Sequence, residues 1–349
     1  MTNFETGSRA IPKRPATQTL ARSTLILATR GSPLALQQAR WVQTELERRS
    51  SGVHVELLTL RTTGDRVRSV PLPAIGGKGL FTKELEDALR EGRAQIAVHS
   101  LKDLPTELPD GLLLACVPPR EDPRDVWVSR DGKRLVELPR QARVGTSSLR
   151  RAAQLRRLRA DLAIVPLRGN LNTRLRKLRE GALDAIVLAA AGMHRMGLGN
   201  EITEYFPPET LCPAVGQGAL GIEARAADAE TLQLLAALED PWARLTVTAE
   251  RALLKHLGGG CQVPIAASAT RQDDRVALAA LVIRPDGSEL VQGTELGPAG
   301  SANLQGEAAI RMAEALGRAT AERLLAQGAG PILASLAQEP SPFPTPQTP

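Results

Sequence analysis

Two local patterns each occur twice in this sequence, and this repetition constrains the fold more than any other feature. Residues 28–32 (Ala-Thr-Arg-Gly-Ser) resemble residues 145–148 (Gly-Thr-Ser-Ser), and residues 91–94 (Glu-Gly-Arg-Ala) resemble residues 180–183 (Glu-Gly-Ala-Leu). Each pair stands at the same place in a pattern of alternating strands and helices. We therefore expect two similar domains. Ligands bind at the C-terminal ends of the strands in open α/β sheets, so a shared cleft is expected there.

The spacing of apolar residues, and the turn residues between them, predict the individual elements. Predicted strands cover residues 24–29, 53–59, 95–98, 126–128, 163–166, 184–188, 265–270, 276–284 and 289–293. Predicted helices cover residues 34–49, 81–90, 149–159, 173–179, 243–257 and 304–325. Ser32 and Pro33 mark the start of the first helix, because serine caps helix N-termini and proline is favoured at the first helical position.

The order of these elements predicts an α/β fold of three domains with two tails. The strands after residue 264 follow one another through tight turns, including one at Pro285-Asp286-Gly287, so the last domain is expected to be a small α+β unit. The expected domains are residues 23–119 with 213–238, residues 120–212, and residues 239–332. Residues 211–219 would return the chain to the first domain. Residues 1–22 and the proline-rich residues 333–349 are expected to be disordered.

Positive charge is concentrated in one segment. The chain has a net charge of +6, but residues 140–179 hold eleven arginines and one lysine against one aspartate. Such a segment binds an anionic partner or forms a solvated face. Aromatic residues make up 2% of the chain, which leaves few side chains to stack on bases and argues against nucleic acid. A small ligand with several carboxylates or phosphates fits the segment at least as well.

Composition also limits the compartment and the cofactors. Three cysteines lie far apart without a Cys-x-x-Cys pair, which favours a reducing, cytoplasmic location over disulfides or structural zinc. The four histidines are not spaced as metal ligands, and no apolar run is long enough to span a membrane. The glycine-rich residues 76–79 lack the Gly-Lys-Ser/Thr ending of a nucleotide-binding loop. We therefore expect no metal, nucleotide or membrane partner, and a monomer, since no large apolar repeat is present.

Residues 257–265 (Leu-Gly-Gly-Gly-Cys-Gln-Val-Pro-Ile) form the most unusual stretch of the chain. Glycine adopts backbone angles that other residues avoid, so three glycines leave the thiol of Cys261 uncrowded. A cysteine thiolate is a strong nucleophile near neutral pH. The alternative is a loop that holds a small buried cysteine, since free cysteine is among the most buried residue types.

The first turn of the helix predicted from residue 149 contains an electrostatic anomaly. Arg150 and Arg151 lie there beside hydroxyls and free N–H groups, although a cation is disfavoured in a first turn by about 0.3–1 kcal/mol. No neighbour in the sequence offsets this cost, whereas an anionic ligand would. The alternative is that both arginines pair with acidic residues elsewhere in the chain. Three more arginines near neighbouring strand ends complete an expected carboxylate-binding wall: Arg168, Arg174 and Arg195.

Asp103 is the candidate acidic residue. It follows a predicted buried strand, and the Leu-Pro pair after it would shield it from water. Such a carboxylate can stabilise a cation or carry a proton. The alternative is that it caps a helix or a turn, which is common for aspartate.

Six strings occur in order along the chain: residues 28–36, 77–86, 97–105 (Ala-Val-His-Ser-Leu-Lys-Asp-Leu-Pro), 145–151 (Gly-Thr-Ser-Ser-Leu-Arg-Arg), 167–170 (Leu-Arg-Gly-Asn) and 259–264 (Gly-Gly-Cys-Gln-Val-Pro). Together they resemble the porphobilinogen deaminase family, also called hydroxymethylbilane synthase. The resemblance covers about residues 25–326. It implies two periplasmic-binding-protein-like domains around a cleft and a third domain that carries the cysteine.

The resemblance also implies an activity. The protein would be a transferase that deaminates four porphobilinogen molecules, joins them head to tail and releases hydroxymethylbilane by hydrolysis. Its primer would be a dipyrromethane cofactor bound to Cys261 through a thioether. Asp103 would be the catalytic residue, because it would stabilise positive pyrrole nitrogens and help to move protons.

The resemblance assigns further residues to the cleft. Besides Cys261 and Asp103, the residues expected to hold the cofactor are Ser100, Lys102, Thr146, Ser147, Ser148, Arg150, Arg151 and Gly169. The residues expected to bind the acetate and propionate groups of the substrate are Arg30, Ser32, Arg168, Arg174, Arg195, Lys78 and Lys83.

Two other functions compete with this one. A non-catalytic binding protein for small anions would explain the arginines but not the glycine-flanked cysteine, and it predicts an unmodified thiol. A nucleic-acid-binding protein would use the basic segment, and a salt-dependent gel shift would favour it.

Overall fold

The computed structural model describes residues 24–66, 79–259 and 263–336. In chain order, its strands are β1 (Thr24–Arg30), β2 (His54–Leu60), β3 (Ile96–Ser100), β4 (Leu112–Cys116), β5 (Asp125–Ser129), β6 (Arg143–Gly145), β7 (Ala163–Val165), β8 (Ala185–Ala189), β9 (Glu204–Tyr205), β10 (Leu220–Arg225), β11 (Ile265–Gln272), β12 (Arg275–Ile283) and β13 (Leu290–Leu296). Its helices are α1 (Pro33–Arg49), α2 (Thr63–Arg66), α3 (Lys83–Arg90), α4 (Leu149–Leu158), α5 (Leu171–Arg179), α6 (Ala190–Arg195), α7 (Ala229–Ala236), α8 (Pro241–His256), α9 (Gly306–Leu324) and α10 (Gly330–Ser335).

The first two sheets have the same strand order. The first runs β2-β1-β3-β10-β4, with β1, β2 and β3 parallel and β10 antiparallel to both of its neighbours. The second runs β7-β6-β8-β5-β9, with β6, β7 and β8 parallel and β5 antiparallel to both of its neighbours. The duplication expected from the sequence is therefore present as a repeated topology.

The chain passes between these two sheets twice. Residues 117–124 lead from β4 to β5, and residues 206–219 lead from β9 back to β10. The expected return to the first domain is confirmed, because β10 pairs with β3 and β4. The two crossovers also place the start of β5 and the segment before β10 in the region where the sheets approach each other.

The third sheet is an antiparallel meander in the order β11-β12-β13. Helices α8 and α9 pack against it, and together they enclose an apolar core of leucine, valine and alanine side chains from both layers. The predicted architecture of two α/β units and a small C-terminal α+β unit is confirmed. The residue boundaries of the domains stay a prediction.

Strands β4 and β10 were not predicted from the sequence. Glu223 and Gly221 lie inside β10, and glutamate and glycine are depleted in strands. A side chain on Gly221 would come within 2.8 Å of Leu101 and 3.0 Å of Leu114. Glycine is therefore required at this position by side chains from distant parts of the chain, which no local sequence pattern shows.

Within the described ranges, no helix has the length and the apolar composition needed to span a bilayer. The same residues contain no group of three or more His, Cys, Asp or Glu side chains placed to hold a metal ion.

Candidate active site

The polar residues singled out by the sequence follow the ends of parallel strands in both α/β units. Asp103 ends a 3₁₀ turn, Leu101–Asp103, that follows β3 directly. In the second unit, Ser147 and Ser148 follow β6, and Arg168 follows β7. The C-terminal ends of parallel strands share one edge of a sheet, which is where ligands bind in such folds.

A pocket opens at this edge of the first sheet. Its polar lining consists of Arg30, Ser32, Gln38, Thr82, His99, Ser100 and Asp103. Four of the predicted site residues therefore lie together. Ser32 also caps α1 by accepting a hydrogen bond from the Ala35 N–H, at 3.3 Å. The Oγ of Ser100 lies 2.9 Å from Nε2 of Gln38.

The turn that presents Asp103 is fixed by the second crossover. The backbone N–H of Leu101 donates to the carbonyl of Ala219, at 3.0 Å. Gly216 has a φ of +70°, and a Cβ on it would lie 3.2 Å from Leu101 Cγ. A residue other than glycine is disfavoured there for both reasons. The position of Asp103 therefore depends on how the chain returns to the first unit.

Lys102 lies next to Asp103 in an electropositive setting. Its Nζ donates to Oε1 of Gln217, at 3.2 Å. Burial, together with the nearby charge of Arg151, lowers the pKa of Lys102 to about 8, although Asp103 and Asp125 oppose this shift. At neutral pH the ammonium group is therefore charged but easily deprotonated.

Arg150 and Arg151 both bind Asp125, the first residue of β5. Nη1 of Arg150 lies 2.6 Å from Asp125 Oδ2, and Nη2 of Arg151 lies 2.7 Å from Oδ1. All three side chains are buried. Burial alone favours the neutral acid, but the two guanidinium groups outweigh it and hold the pKa of Asp125 well below its usual range. The expectation that an anionic ligand offsets their charge is therefore corrected, and the alternative that both arginines pair with an acidic residue elsewhere in the chain is confirmed.

Two of the other predicted arginines donate to backbone carbonyls. Nε of Arg174 donates to the carbonyl of Gly169, at 2.8 Å, and Nη2 of Arg195 donates to that of Gly218, at 2.8 Å. Burial and the nearby Arg151 lower the pKa of Arg174 to about 10. Burial also lowers the pKa of Arg168 and of Arg195. Desolvated cations of this kind favour an anionic ligand, because a carboxylate would offset the cost of burying their positive charge.

Gly169 has a structural reason to be glycine. Its φ is +117°, and a Cβ on it would lie 2.6 Å from Thr173 Cγ2. The turn it forms brings its carbonyl to Arg174. Gly169 therefore contributes through its backbone, because its carbonyl oxygen accepts the hydrogen bond that orients Arg174.

The predicted hydroxyl residues make backbone hydrogen bonds. Thr146 Oγ1 accepts from the Ser148 N–H, at 3.2 Å, and Ser148 Oγ accepts from the Arg151 N–H, at 3.4 Å. Ser147 Oγ lies 3.0 Å from both the carbonyl oxygen and the amide nitrogen of Leu167. In this structure these hydroxyls shape the turn before α4.

Arg30 also has an acidic partner. Its Nη2 lies 2.5 Å from Oδ1 of Asp65, and its guanidinium stacks on the ring of Phe81, 4.2 Å from the centroid. Lys83 is exposed at the first position of α3. Lys78 and Cys261 lie outside the described residues.

Sequence reasoning missed several residues that the structure brings to this region: Gln38, Asp65, Phe81, Asp125 and Gln217. Most of them act on a residue far away in sequence, so no local pattern marks them. One signal was present for Asp125, since it is an acidic residue at the start of the apolar strand Asp125–Ser129. A buried acid in that position requires a cationic partner.

The basic segment is largely neutralised at its surface. Acidic residues pair with several of its exposed arginines: Asp184 with Arg143, Asp161 with Arg159, Glu180 with Arg176 and Glu201 with Arg179. Two arginines expected to face the cleft, Arg174 and Arg195, donate instead to backbone carbonyls. This distribution favours a small anion in the cleft over a long polyanion on the surface.

Comparisons with known proteins agree on one family. Residues 25–233 match the family model "Porphobilinogen deaminase, dipyromethane cofactor binding domain", and residues 244–326 match "Porphobilinogen deaminase, C-terminal domain".

Named relatives extend over most of the chain. The porphobilinogen deaminase of Syntrophotalea carbinolica is 49% identical over 93% of this chain and 99% of its own length. That of Syntrophobacter fumaroxidans is 54% identical over 78% of this chain and 88% of its own length. That of Desulforudis audaxviator is 52% identical over 90% of this chain and 98% of its own length. Among solved structures, the periplasmic aliphatic sulphonate binding protein SsuA of Escherichia coli aligns with a TM-score of 0.38 and 14% identity, over 67% of this chain and 70% of that one.

Proposed function

The chain belongs to the porphobilinogen deaminase family, and from this premise we propose how its own residues perform the reaction. The activity is that of hydroxymethylbilane synthase: four porphobilinogen molecules are deaminated and condensed head to tail, and hydrolysis releases the linear tetrapyrrole. The cofactor of the family is dipyrromethane, which when bound supplies the primer for this condensation.

The cleft residues fit such a group. Two pyrrole rings with acetate and propionate arms bring several carboxylates, and cations outnumber carboxylates at this edge. Lys102 and Arg174 lie close enough to Asp103 for its charge to act on them, and burial lowers the pKa of both. A bound carboxylate would stabilise both cations. This excess of desolvated cations around one carboxylate is the observation that supports the proposal.

We assign Cys261 as the attachment point. Cys116 and Cys212 are buried free thiols, and burial raises the pKa of both, that of Cys212 to about 12. A thiol that keeps its proton at neutral pH is a poor nucleophile. The glycines before Cys261 leave the third cysteine room for a bulky adduct.

We propose the remaining roles from the family resemblance and from the positions of the described residues. Asp103 would hold protons and stabilise cationic nitrogen in the pocket it lines. Lys102, Arg150, Arg151 and the turn of residues 146–148 would hold the cofactor and the acetate and propionate groups of the rings added to it, with Ser100 and Gly169 beside them. Arg30, Ser32, Arg168, Arg174, Arg195, Lys78 and Lys83 would receive substrate carboxylates. Arg30 would then exchange Asp65 for the substrate, or share its guanidinium between them.

We further infer a monomer in the cytoplasm without a nucleic acid partner. The large apolar side chains exposed among the described residues are scattered, for example Trp41, Val136 and Leu296, and do not suggest an extensive apolar interface. Free thiols at Cys116 and Cys212 fit a reducing compartment. The paired surface arginines argue against a nucleic acid partner.

The mass of the intact protein tests the attachment site. The purified chain should exceed its sequence mass by two pyrrole units, and Cys261→Ser should lose this excess. Cys116→Ala and Cys212→Ala are matched controls that should keep it. An excess that persists in Cys261→Ser would show that the group is bound elsewhere, and an unmodified wild-type chain would favour a simple anion-binding protein.

A further inference from the structure

Asp125 occupies the point where the two α/β units meet. It is the first residue after the chain crosses from the first unit to the second, and it is fully buried. Its carboxylate accepts hydrogen bonds from Arg150, Arg151 and Gln217 at distances between 2.6 and 3.1 Å. A buried carboxylate with this many charged partners is an ordered part of the structure.

The two arginines bind Asp125 through different edges. Arg150 uses only Nη1, which donates to Asp125 Oδ2 at 2.6 Å and to the Cys212 carbonyl at 2.6 Å. Arg151 uses Nε and Nη2 on Asp125 Oδ1, at 3.1 and 2.7 Å, and Nη1 on the Val187 carbonyl, at 3.0 Å. Among the hydrogen bonds of the described residues, none uses Nε or Nη2 of Arg150. Arginine can bind a carboxylate through its Nε and Nη2 atoms with two parallel hydrogen bonds, so Arg150 can bind a ligand carboxylate in this way.

Gln217 extends this arrangement to the first unit. Its Nε2 donates to Asp125 Oδ1, at 2.8 Å, and to the Pro123 carbonyl, at 2.7 Å. Its Oε1 accepts from Lys102 Nζ, at 3.2 Å. One side chain thus connects the guanidinium pair of the second unit with the ammonium group beside Asp103.

We propose that Asp125 is a positioning residue that presents the Nε–Nη2 edge of Arg150, and through Gln217 the ammonium group of Lys102, to the carboxylates of the ligand. Without its charge, three neighbouring cations would repel one another, and Nη1 of Arg150 would lose its charged partner and keep only the Cys212 carbonyl. Arg151 differs from Arg150 because its Nε–Nη2 edge is already bonded to Asp125. This inference rests on the proposed function, in which Arg150 and Lys102 bind carboxylates.

The test uses Asp125→Asn in the full chain, which keeps the size of the side chain and removes its charge. We expect the KM for porphobilinogen to rise about tenfold or more, because a hydrogen bond to a charged group is lost, while kcat falls by a smaller factor. The fraction of chains with the two-pyrrole mass excess should also fall. Asp161→Asn is the matched control, because Asp161 pairs with Arg159 just beyond the other end of α4, at 2.7 Å. It should leave both readouts unchanged.

A double substitution shows whether Asp125 acts through Arg150. If it does, Asp125→Asn combined with Arg150→Lys should differ little in KM and in mass excess from Arg150→Lys alone, since coupled sites are not additive. The proposal would be overturned if the fold-change in KM of the double variant equalled the product of the fold-changes of the two single variants. If Asp125→Asn fails to give a folded near-ultraviolet circular dichroism spectrum, Gln217→Met tests the part of the proposal that runs from Asp125 to Lys102. That variant keeps Asp125 and both arginine pairs, and an unchanged KM would overturn the link to Lys102.

The two possible failures are distinguishable. A mass excess that survives in Cys261→Ser contradicts the proposed attachment site, whatever Asp125 does. A loaded Asp125→Asn protein with the KM of the wild type contradicts only the positioning role.

Discussion

Arg120 and Glu250 form a two-bond ion pair between the first crossover and helix α8. Nη1 and Nη2 of Arg120 lie 2.8 and 3.0 Å from the two carboxylate oxygens of Glu250. The same carboxylate accepts the backbone N–H groups of Gly216 and Ala269, at 2.7 and 2.9 Å. Since Nε of Arg120 donates to the Gln217 carbonyl, at 2.9 Å, the pair joins both crossovers to the third unit.

Removal of one partner of this pair should destabilise the protein strongly. Arg120→Ala leaves a fully buried carboxylate without its cation, and we expect the free energy of unfolding to fall by about 3–5 kcal/mol. Urea unfolding measures the change. Arg311→Ala is the control, because it breaks an exposed pair with Glu307 and should have little effect. Equal effects of the two substitutions would contradict the role of the buried pair.

Asp103 should be required for turnover and not for folding. Asp103→Ala is expected to lower kcat by roughly two to four orders of magnitude, which is the range for loss of a proton-transferring group. The side chain is only half-buried, so the unfolding midpoint should change little. Asp110→Ala, at an exposed position shortly after it in the chain, is the control. A near-normal rate in the Asp103 variant would remove this residue from the mechanism.

The charge of Lys102 should set an alkaline limit on substrate binding. Its pKa is lowered to about 8, so its ammonium group loses the proton as the pH rises through that value. Carboxylate binding then weakens, and KM should increase above about pH 8. Lys102→Arg keeps the positive charge and should flatten this increase. If the Lys102→Arg profile matched that of the wild type, another group would be responsible.

Glu86 should make the stability depend on pH. Burial, with the nearby charge of Glu223, raises the pKa of Glu86, although the neighbouring Thr82 hydroxyl opposes the shift. The folded state therefore holds the proton more tightly than the unfolded state, and the resulting stability is present at low pH and lost as the pH rises through the raised pKa. The free energy of unfolding of Glu86→Gln, relative to that of the wild type, should accordingly be higher at pH 8 than at pH 4.5. Asp87→Asn removes a carboxylate from the same helix as a control, and a pH-independent difference for Glu86→Gln would contradict the prediction.

Gly287 should be required for the contact between the third unit and α4. Its φ is +82°, and a Cβ on it would lie 2.9 Å from the Ala153 carbonyl oxygen and 3.0 Å from the Arg157 nitrogen. Gly287→Ala should lower stability by roughly 1–3 kcal/mol in urea unfolding. Gly132→Ala is the control, since Gly132 has a φ of +70° but an unobstructed Cβ position. A larger loss of stability in Gly287→Ala than in Gly132→Ala would measure the cost of crowding against α4. Equal losses in the two variants would show that this contact contributes nothing.

Local structure was largely predictable from the sequence. Helix α1 was expected over residues 34–49 and runs over Pro33–Arg49, and its serine cap forms as expected. Strand β1 was expected over residues 24–29 and runs over Thr24–Arg30. These elements follow from periodicity and capping, which depend on residues close together in the chain.

The state of the arginines was not predictable in the same way. The position of Arg150 and Arg151 in the first turn of a predicted helix indicated an anionic ligand, yet Asp125 already binds both. Arg30 was expected to bind substrate and is paired with Asp65, 35 residues away. The sequence shows how many cations need an acidic partner, but it does not show which of them already have one within the folded chain.

The sequence by itself determined the family, the repeated strand–helix pattern and the surplus of arginine, because each of these is a property of residue types in order along the chain. Only the tertiary structure decided which edges of those arginines remain available and how the two α/β units share their charges. Asp125, Arg150 and Gln217 are brought together by two crossovers and the pairing of β5 and β10 in separate sheets, and the free energy of such contacts depends on distances that no local pattern specifies.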